Sequence, residues 1–137
     1  MADGGYLCGA VRYRLDGSPL NTDYCHCRIC QRAVGAPLVA WGRWPADRFA
    51  WARGEPRRFA SSTEGERSFC PSCGTSLTFV DPGDPTFVDV TLASLDDPTA
   101  FPPRSHAWTA SRVPWLEIGD GLPRYASTKA EAEGGGP

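Results

Sequence analysis

Long hydrophobic runs and basic clusters are both absent from this 137-residue sequence. No apolar stretch approaches the ~18 residues that a membrane-spanning helix requires, which argues against a membrane protein. Fourteen basic residues against sixteen acidic ones give a net charge of -2, and no basic stripe runs along the chain. Phosphate-driven binding to nucleic acid is therefore not expected.

The first residues also lack the features of an export signal. Met1 is followed by Ala-Asp-Gly-Gly, with no basic patch leading into an apolar stretch and no small-residue cleavage pattern. We therefore expect a cytoplasmic protein in a reducing compartment, where disulfides are rare. Lysine is scarce as well, because Lys129 is the single one and the other thirteen basic residues are arginine. Arginine can bind a carboxylate through two parallel hydrogen bonds.

Alternation of apolar and polar residues predicts short strands. Val11, Tyr13 and Leu15 alternate with Arg12 and Arg14, which is typical of a strand with one buried face. Further strands are predicted between turns rich in Gly, Pro and Asp, at residues 38–44, 57–60, 67–69, 76–80 and 87–92.

Little helix is expected in a chain with fifteen glycines and thirteen prolines. Residues 27–34 leave room for one or two helical turns, ended by Gly35 and by Pro37, which disfavours helical geometry at Ala36. The prediction is a mainly β chain with one domain over residues 1–126. Residues 127–137 are small or charged and are expected to form a disordered tail.

The six cysteines carry the chemical signal of the sequence. They comprise Cys8, a C-x-C-x-x-C segment (Cys25, Cys27 and Cys30) and a C-x-x-C pair followed by Gly74 (Cys70 and Cys73). Zinc binds thiolates at about 2.3 Å in a tetrahedral array, and a C-x-x-C turn presents two sulfurs on one side of a tight loop. The sequence therefore predicts one or two zinc ions per chain.

Spacing alone leaves the grouping of these cysteines open. The C-x-C-x-x-C segment could supply three thiolates and leave the fourth position open for chemistry. Alternatively, Cys25 and Cys27 could join the C-x-x-C pair in a closed structural site, leaving Cys8 and Cys30 free. Disulfides are disfavoured by the compartment and by the awkward C-x-C geometry. A thioredoxin-like redox pair is disfavoured because no βαβ pattern surrounds it.

Three longer segments carry a family resemblance. They are GYLCGAVRY at residues 5–13, CHCRICQRAVGA at residues 25–36 and FCPSCGTSL at residues 69–77. In residues, order and spacing they resemble the glutathione-dependent formaldehyde-activating enzyme family. SLDDP at residues 94–98 and residues 106–123 extend the resemblance to roughly residues 4–125.

The resemblance implies a β-tent fold, with two small antiparallel sheets pinned by zinc. It also implies a carbon–sulfur lyase activity that combines glutathione with formaldehyde into S-hydroxymethylglutathione. Two metal sites are implied, a structural zinc held by Cys8, Cys70 and Cys73 with one further ligand, and a candidate catalytic zinc held by Cys25, Cys27 and Cys30.

One position departs from the family pattern. The family usually opens with Cys-x-Cys-Gly, and the first of these cysteines is Tyr6 here. The fourth ligand is then water or another side chain, or the zinc is held weakly, or packing of the Tyr6 ring replaces the metal. We favour the first two interpretations, because three thiolates without a partner would repel one another.

Four polar residues are further candidates. Arg28 and Arg32 adjoin the cysteine loop and could bind a glutathione carboxylate, although solvated surface arginines are the alternative. His26 lies between two ligands and is expected to be a loop residue, with an acid–base or hydrogen-bonding role as the alternative. His106 is expected to be a satisfied core histidine, with a proton shuttle or the missing zinc ligand as alternatives.

The predicted function is a zinc-dependent carbon–sulfur lyase that acts on glutathione or on a small thiol–aldehyde adduct. The alternative is a non-catalytic zinc module that binds a protein partner.

Most of the five tryptophans are expected to fill the core, with one or two lining a pocket; they are Trp41, Trp44, Trp51, Trp108 and Trp115.

Overall fold

A computed structural model describes residues 1–63 and 65–128. The elements of this part of the chain, numbered in order, are β1 (Ala2–Gly5), β2 (Arg12–Leu15), β3 (Asn21–Cys25), α1 (Arg28–Val34), β4 (Val39–Pro45), β5 (Phe49–Arg53), β6 (Arg57–Ser62), β7 (Gly65–Phe69), β8 (Ser76–Val80), β9 (Phe87–Thr91) and β10 (His106–Ala107). The strands are grouped in two sheets. The mainly β fold class is therefore confirmed.

The chain divides into two compact units, each built from two segments. Unit 1 contains Met1–Asn21 and Gly42–Pro102, and unit 2 contains Thr22–Trp41 and the chain from Pro103 onward. The two units are described separately below.

The first sheet of unit 1 has three strands in the order β1-β2-β5, with antiparallel pairing throughout. Tyr13 lies in the central strand and is fully buried, as the alternating pattern predicted. Its ring stacks on Phe49 with 5.4 Å between centroids, and its hydroxyl lies 2.7 Å from Ser94 Oγ. Gly4 permits this packing, because a Cβ there would lie 2.3 Å from the Tyr13 hydroxyl oxygen.

Unit 1 also contains four consecutive strands in the order β9-β8-β7-β6, again paired antiparallel. Ser68 in β7 lies opposite Thr78 in β8, and their buried hydroxyl groups are hydrogen-bonded. Leu77 and Val90 are fully buried on neighbouring strands. Because β7 ends at Phe69, Cys70 follows directly at the end of a strand that is paired on both sides.

Unit 2 is organised around β3, which lies between β10 and β4. The β10 strand pairs with β3 in parallel, with His106 opposite Tyr24 and Ala107 opposite Cys25. This parallel pair departs from the purely antiparallel sheets that the resemblance implied. The α1 helix follows β3 after two residues and ends at Gly35, whose φ of 72° is left-handed, so the predicted helix end is confirmed.

Four strands were not predicted from the sequence, namely β1, β3, β5 and β10. The first of them contains two glycines and the last has only two residues, so neither offers an apolar alternation to detect. Partnership in a sheet, and not local propensity, makes them strands.

The expectation that most tryptophans fill the core is wrong. Trp41 and Trp44 are buried and Trp51 is half-buried, whereas Trp108 and Trp115 are 38% and 72% exposed. Indole rings are large enough to be exposed at a surface at modest cost, so an alternation of Trp with polar residues is a weak indicator of burial.

The predicted disordered tail lies mostly outside the described residues. Of its residues 127–137, only Ser127 and Thr128 are described, and the Ser127 carbonyl accepts the Trp108 backbone N–H at 2.8 Å. The single domain over residues 1–126 stays a prediction. Within residues 1–63 and 65–128, no helix combines the length and the hydropathy needed to cross a membrane.

Candidate metal centres

The triad of Cys25, Cys27 and Cys30 lies in unit 2, where β3 gives way to α1. Its three Sγ atoms all lie within 4.8 Å of one another. Cys25 and Cys30 are buried and Cys27 is half-buried. Cys27 is also the N-cap of α1, because its Sγ accepts the backbone N–H of Cys30 at 3.3 Å. One short segment therefore presents three sulfurs with one side accessible.

Crowding gives this triad its electrostatic character. Hydrogen bonds from Cys25 to the thiols of Cys27 and Cys30, together with burial, raise the pKa of Cys25 above its ordinary value. Three adjacent thiol groups cannot all ionise in a buried site unless a cation offsets the negative charge of the thiolates. A bound divalent metal would remove this penalty, since it deprotonates its thiol ligands.

Gln31 and Arg28, two residues of α1, form hydrogen bonds beside the cysteine triad. The Gln31 side-chain amide donates to the His26 carbonyl at 2.7 Å and to the Ser111 carbonyl at 3.1 Å. Arg28 donates from Nη1 to Gln31 Oε1 at 2.7 Å. Gln31 is buried. The sequence analysis did not single it out, because it searched for charged or nucleophilic residues and glutamine is neither.

His26 lies in the loop between β3 and α1, as the sequence predicted, and its ring has the hydrogen-bonding role that was the alternative to a mere loop residue. It is 4% exposed, and its Nε2 lies 2.8 Å from His106 Nδ1. His106 Nε2 in turn lies 2.8 Å from Asp120 Oδ2. His106 is thus the satisfied core histidine that the sequence predicted. No sequence signal marked Asp120.

The second triad, Cys8, Cys70 and Cys73, lies in unit 1 and also has its Sγ atoms within 4.8 Å of one another. Cys8 Sγ and Cys70 Sγ are 3.5 Å apart. Cys70 is buried, whereas Cys8 and Cys73 are exposed. The prediction that these three residues lie close together is confirmed.

A tight turn after β7 shapes this second triad. The backbone N–H groups of Ser72 and Cys73 each donate to Cys70 Sγ at 3.3 Å, and the Gly74 N–H donates to the Cys70 carbonyl at 2.9 Å. Gly74 has a φ of 78°, a left-handed conformation that favours glycine. Hydrogen bonds from Thr75 lower the pKa of Cys73 to about 6. The turn therefore stabilises negative charge on sulfur.

Tyr6 replaces the cysteine that the family pattern places at this position, and its side chain is buried in unit 1. Burial, and next the neighbouring Cys70, raise the pKa of the Tyr6 phenol above its ordinary value. Its hydroxyl therefore keeps its proton at neutral pH. Tyr6 adds a packed ring to the site and no thiolate.

Both triads fit a zinc ion by their donor chemistry. Four ligands at tetrahedral positions 2.3 Å from zinc place sulfurs ~3.8 Å apart, which agrees with separations below 4.8 Å. Cys25 and Cys27 do not group with Cys70 and Cys73 in either metal-capable cluster found among the described residues. None of the six cysteines, all of which lie in the described part of the chain, forms a disulfide.

The candidate glutathione ligands lie on α1. Arg28 and Arg32 are both exposed and are four positions apart, so they share one face of the helix. Arg28 is already anchored to Gln31, whereas Arg32 forms no ion pair with any residue that the structure describes.

Comparison with known proteins identifies the family. A family model described as glutathione-dependent formaldehyde-activating enzyme matches residues 1–111. The chain belongs to this family. The resemblance inferred from the cysteine segments is therefore confirmed.

Two individual proteins are similar to this member of the glutathione-dependent formaldehyde-activating family. A protein of Halomonas elongata, whose name assigns it provisionally to these enzymes, is 29% identical over an alignment of 132 residues, and the match covers 86% of this chain and 81% of that protein. A Schizosaccharomyces pombe protein named only as an uncharacterized lyase is 29% identical over 77 residues, 56% of each chain. These names support a formaldehyde-activating or lyase-type enzyme.

A solved structure shares the fold of this family member. The crystal structure of a Rhodobacter sphaeroides protein matches with a TM-score of 0.60 and covers 90% of this chain and 98% of its own. The two sequences are 19% identical, so this similarity concerns the fold alone.

Proposed function

We propose that this protein is a zinc-dependent carbon–sulfur lyase that joins glutathione to formaldehyde, or acts on a related small thiol–aldehyde adduct. The observation that carries the proposal is the Cys25, Cys27 and Cys30 triad, whose three sulfurs converge within 4.8 Å and leave Cys27 half-buried. Three protein ligands with an accessible side are typical of a catalytic zinc site, whereas structural sites are closed by four.

When bound, zinc would supply a positive centre that lowers the pKa of the substrate thiol and favours its thiolate. Residues of the chain itself would set the side from which the substrate approaches. Cys25 and Cys30 are buried and Cys27 is half-buried, so the substrate would approach from the side of Cys27. This side is also the beginning of α1, where Arg28 is exposed.

Binding of glutathione is assigned to the arginine face of α1. Glutathione has two carboxylates and one amine, so a surface with two adjacent guanidinium groups complements its charge. Arg32 is the better candidate for carboxylate binding, because the Arg28 guanidinium already donates to Gln31. Arg28 would both brace the loop and contact the substrate.

The proposal is tested by following ¹³C-formaldehyde and glutathione by NMR as S-hydroxymethylglutathione forms, relative to the uncatalysed rate. The wild-type protein should accelerate the reaction, and Cys27→Ser should abolish the acceleration while keeping the fold. Cys73→Ser is the matched control, since it removes one thiol from the other triad. Wild-type turnover in Cys27→Ser would contradict the catalytic role of this triad.

Arg32→Ala separates substrate binding from chemistry. We expect a higher KM for glutathione with little change in kcat, because a carboxylate contact far from the reacting sulfur binds ground state and transition state alike. With cysteamine, a thiol that lacks carboxylates, Arg32→Ala and wild-type should behave identically.

Native mass spectrometry distinguishes this function from the alternative, a non-catalytic zinc module for a protein partner. Two zinc ions per chain, with glutathione retained on the complex, would support an open thiol-binding site. One zinc ion without a glutathione adduct would instead favour the module. That module would offer the exposed apolar residues of α1, Ile29 and Val34, as a contact surface.

A further inference from the structure

A buried chain of hydrogen bonds connects the surface of unit 2 with the loop that carries two cysteines of the triad. Asp120 Oδ2 lies 2.8 Å from His106 Nε2, and His106 Nδ1 lies 2.8 Å from His26 Nε2. His106 and His26 are 0% and 4% exposed, so the contact between the two rings is shielded from water, whereas Asp120 is exposed. His26 is the residue between Cys25 and Cys27.

His106, the central ring of this chain, is held in place by its surroundings. Its backbone N–H donates to the Pro123 carbonyl at 2.9 Å, and its carbonyl accepts the Tyr125 N–H at 2.9 Å. On the other side, β10 pairs with β3, and the Tyr24 ring stacks on the imidazole with 4.9 Å between centroids. The His106 ring therefore has little freedom to reorient.

The direction of each hydrogen bond follows from Asp120. The Leu122 backbone N–H, and next the His106 contact, keep the pKa of Asp120 below its ordinary value, so this carboxylate is ionised and only accepts. His106 must then carry its proton on Nε2, and a neutral His106 offers the Nδ1 lone pair. His26 must in turn donate from Nε2, which leaves its Nδ1 without a proton.

The backbone of His26 is anchored as firmly as its ring. Its N–H donates to the Ala107 carbonyl at 3.0 Å, and its carbonyl accepts from the Gln31 side chain at 2.7 Å. Residue 26 is therefore tied at three points, namely its backbone N–H, its carbonyl and its imidazole. Because His26 lies between Cys25 and Cys27, these three hydrogen bonds limit the positions that the two Sγ atoms can adopt.

We infer that Asp120 and His106 are positioning residues that hold His26 as its Nε2–H tautomer and thereby keep the Cys25–Cys27 segment arranged to bind metal. The inference deepens the proposed function, on which it rests only for the assignment of this triad as a metal site. Hydrogen-bond partners behind metal ligands commonly orient those ligands and strengthen metal binding. Here the orientation acts through the residue between two ligands.

The tautomers can be read directly by long-range ¹H–¹⁵N correlation NMR. The chain has only two histidines, so every imidazole signal belongs to this network. In the metal-free wild-type protein, both rings should show the pattern of a neutral Nε2–H tautomer. A wild-type His106 with its proton on Nδ1 would overturn the inference without any variant.

Asp120→Ala tests the link to the cysteines, and the chain provides a matched control. Asp120 Oδ1 accepts the Leu122 N–H at 3.0 Å, and Asp97 Oδ1 accepts the Thr99 N–H at the same distance, 3.0 Å. Asp97, however, lies in unit 1, and its hydrogen-bond partners are the N–H and the hydroxyl of Thr99. Asp97→Ala thus removes the same kind of turn bond. Asp120→Ala should mix the histidine tautomers and shift the amide signals of residues 25–27, whereas Asp97→Ala should do neither.

Zinc affinity, measured by competition with a chromophoric chelator, gives the second readout. Asp120→Ala should weaken one of two zinc equivalents by ~10–100-fold. Asp120→Asn keeps one acceptor oxygen and should lose less. Unchanged tautomers, amide signals and affinity in Asp120→Ala would overturn the inference, and if this variant does not fold, the Asp120→Asn comparison decides in the same way.

Failure of this inference and failure of the proposed function give different results. A protein that shows the tautomers, the amide shifts and the affinity loss but no turnover contradicts the lyase proposal alone. A protein that turns over substrate while Asp120→Ala binds zinc with wild-type affinity contradicts the positioning role alone.

Discussion

The Gln31 side-chain amide donates to the backbone carbonyl of His26 at 2.7 Å, so the first turn of α1 is bonded to the loop between two cysteines. The same amide nitrogen donates to the Ser111 carbonyl at 3.1 Å. One uncharged side chain thus joins three segments of unit 2.

Gln31→Leu keeps the volume of this side chain and removes both hydrogen bonds. The buried carbonyls would lose their donor, and we expect the free energy of unfolding to fall by about 1 to 3 kcal/mol. Urea denaturation of the metal-free protein measures this change. Arg28→Leu, which removes only the bond to Gln31 Oε1, should cost less, and equal losses in the two variants would contradict this ranking.

Tyr6→Cys restores the cysteine that the family usually has at this position. Without metal, the variant should be destabilised by about 3 kcal/mol, because a buried aromatic ring is replaced by a small side chain. With zinc, the added thiolate should strengthen binding at Cys8, Cys70 and Cys73, and ligand binding to the folded state raises Tm. Thermal unfolding with and without zinc should show a larger zinc-dependent rise in Tm than in wild-type.

Tyr6→Phe is the control for this substitution, since it keeps the ring and adds no ligand. Its zinc-dependent rise in Tm should match that of the wild-type protein. An equal rise in Tyr6→Cys would show that residue 6 does not reach the metal.

Gly74→Ala isolates the backbone conformation of the C-x-x-C turn. No atom lies within 4 Å of the Cβ that would be added, so the cost comes from the φ of 78° alone and should be about 1 to 2 kcal/mol. Denaturant unfolding should show this loss, together with weaker zinc retention. Gly119 also has open space around it but no positive φ, so Gly119→Ala should be neutral. Similar losses at both positions would contradict the argument.

The ion pair between Arg12 and Asp96 should make stability depend on pH. Arg12 Nη1 donates to Asp96 Oδ1 at 2.9 Å, and this contact holds the pKa of Asp96 below its ordinary value of 3.8. A carboxyl group with a lowered folded-state pKa stabilises the fold above pH 3.8, and the stabilisation is lost as the pH falls through the folded-state pKa.

Asp96→Asn tests this dependence. At pH 7 the variant should have a Tm lower by ~1 to 4 °C, as expected for an exposed ion pair. Below the folded-state pKa the two melting temperatures should converge. A constant difference at all pH values would assign the effect to packing instead.

Local features of the chain were predictable because their causes are local. The alternation at Val11, Tyr13 and Leu15 decides which face of β2 is buried. Gly35 ends α1 and Gly74 shapes the C-x-x-C turn because each adopts a left-handed φ, which favours glycine. The family resemblance also implied the grouping of Cys8 with Cys70 and Cys73, which spacing alone left open.

Other features could not be predicted, because their partners are distant in sequence. His26 and His106 are 80 positions apart, and so are Gln31 and Ser111. Trp108 has a φ of 57°, and its N–H donates to the Ser127 carbonyl. No local sequence pattern predicts either feature. His26 was therefore interpreted by type alone as a loop residue, and His106 and Trp108 as core residues.

The sequence by itself determined the mainly β character, the helix end and the two short cysteine motifs, since hydrophobic period, glycine conformation and turn geometry act over a few residues. Only the tertiary structure decided that His26 is buried against His106 and that Asp120 completes their network. The physical reason is that a buried polar group needs a specific partner, and that partner is supplied by whichever distant segment the fold brings within hydrogen-bonding distance.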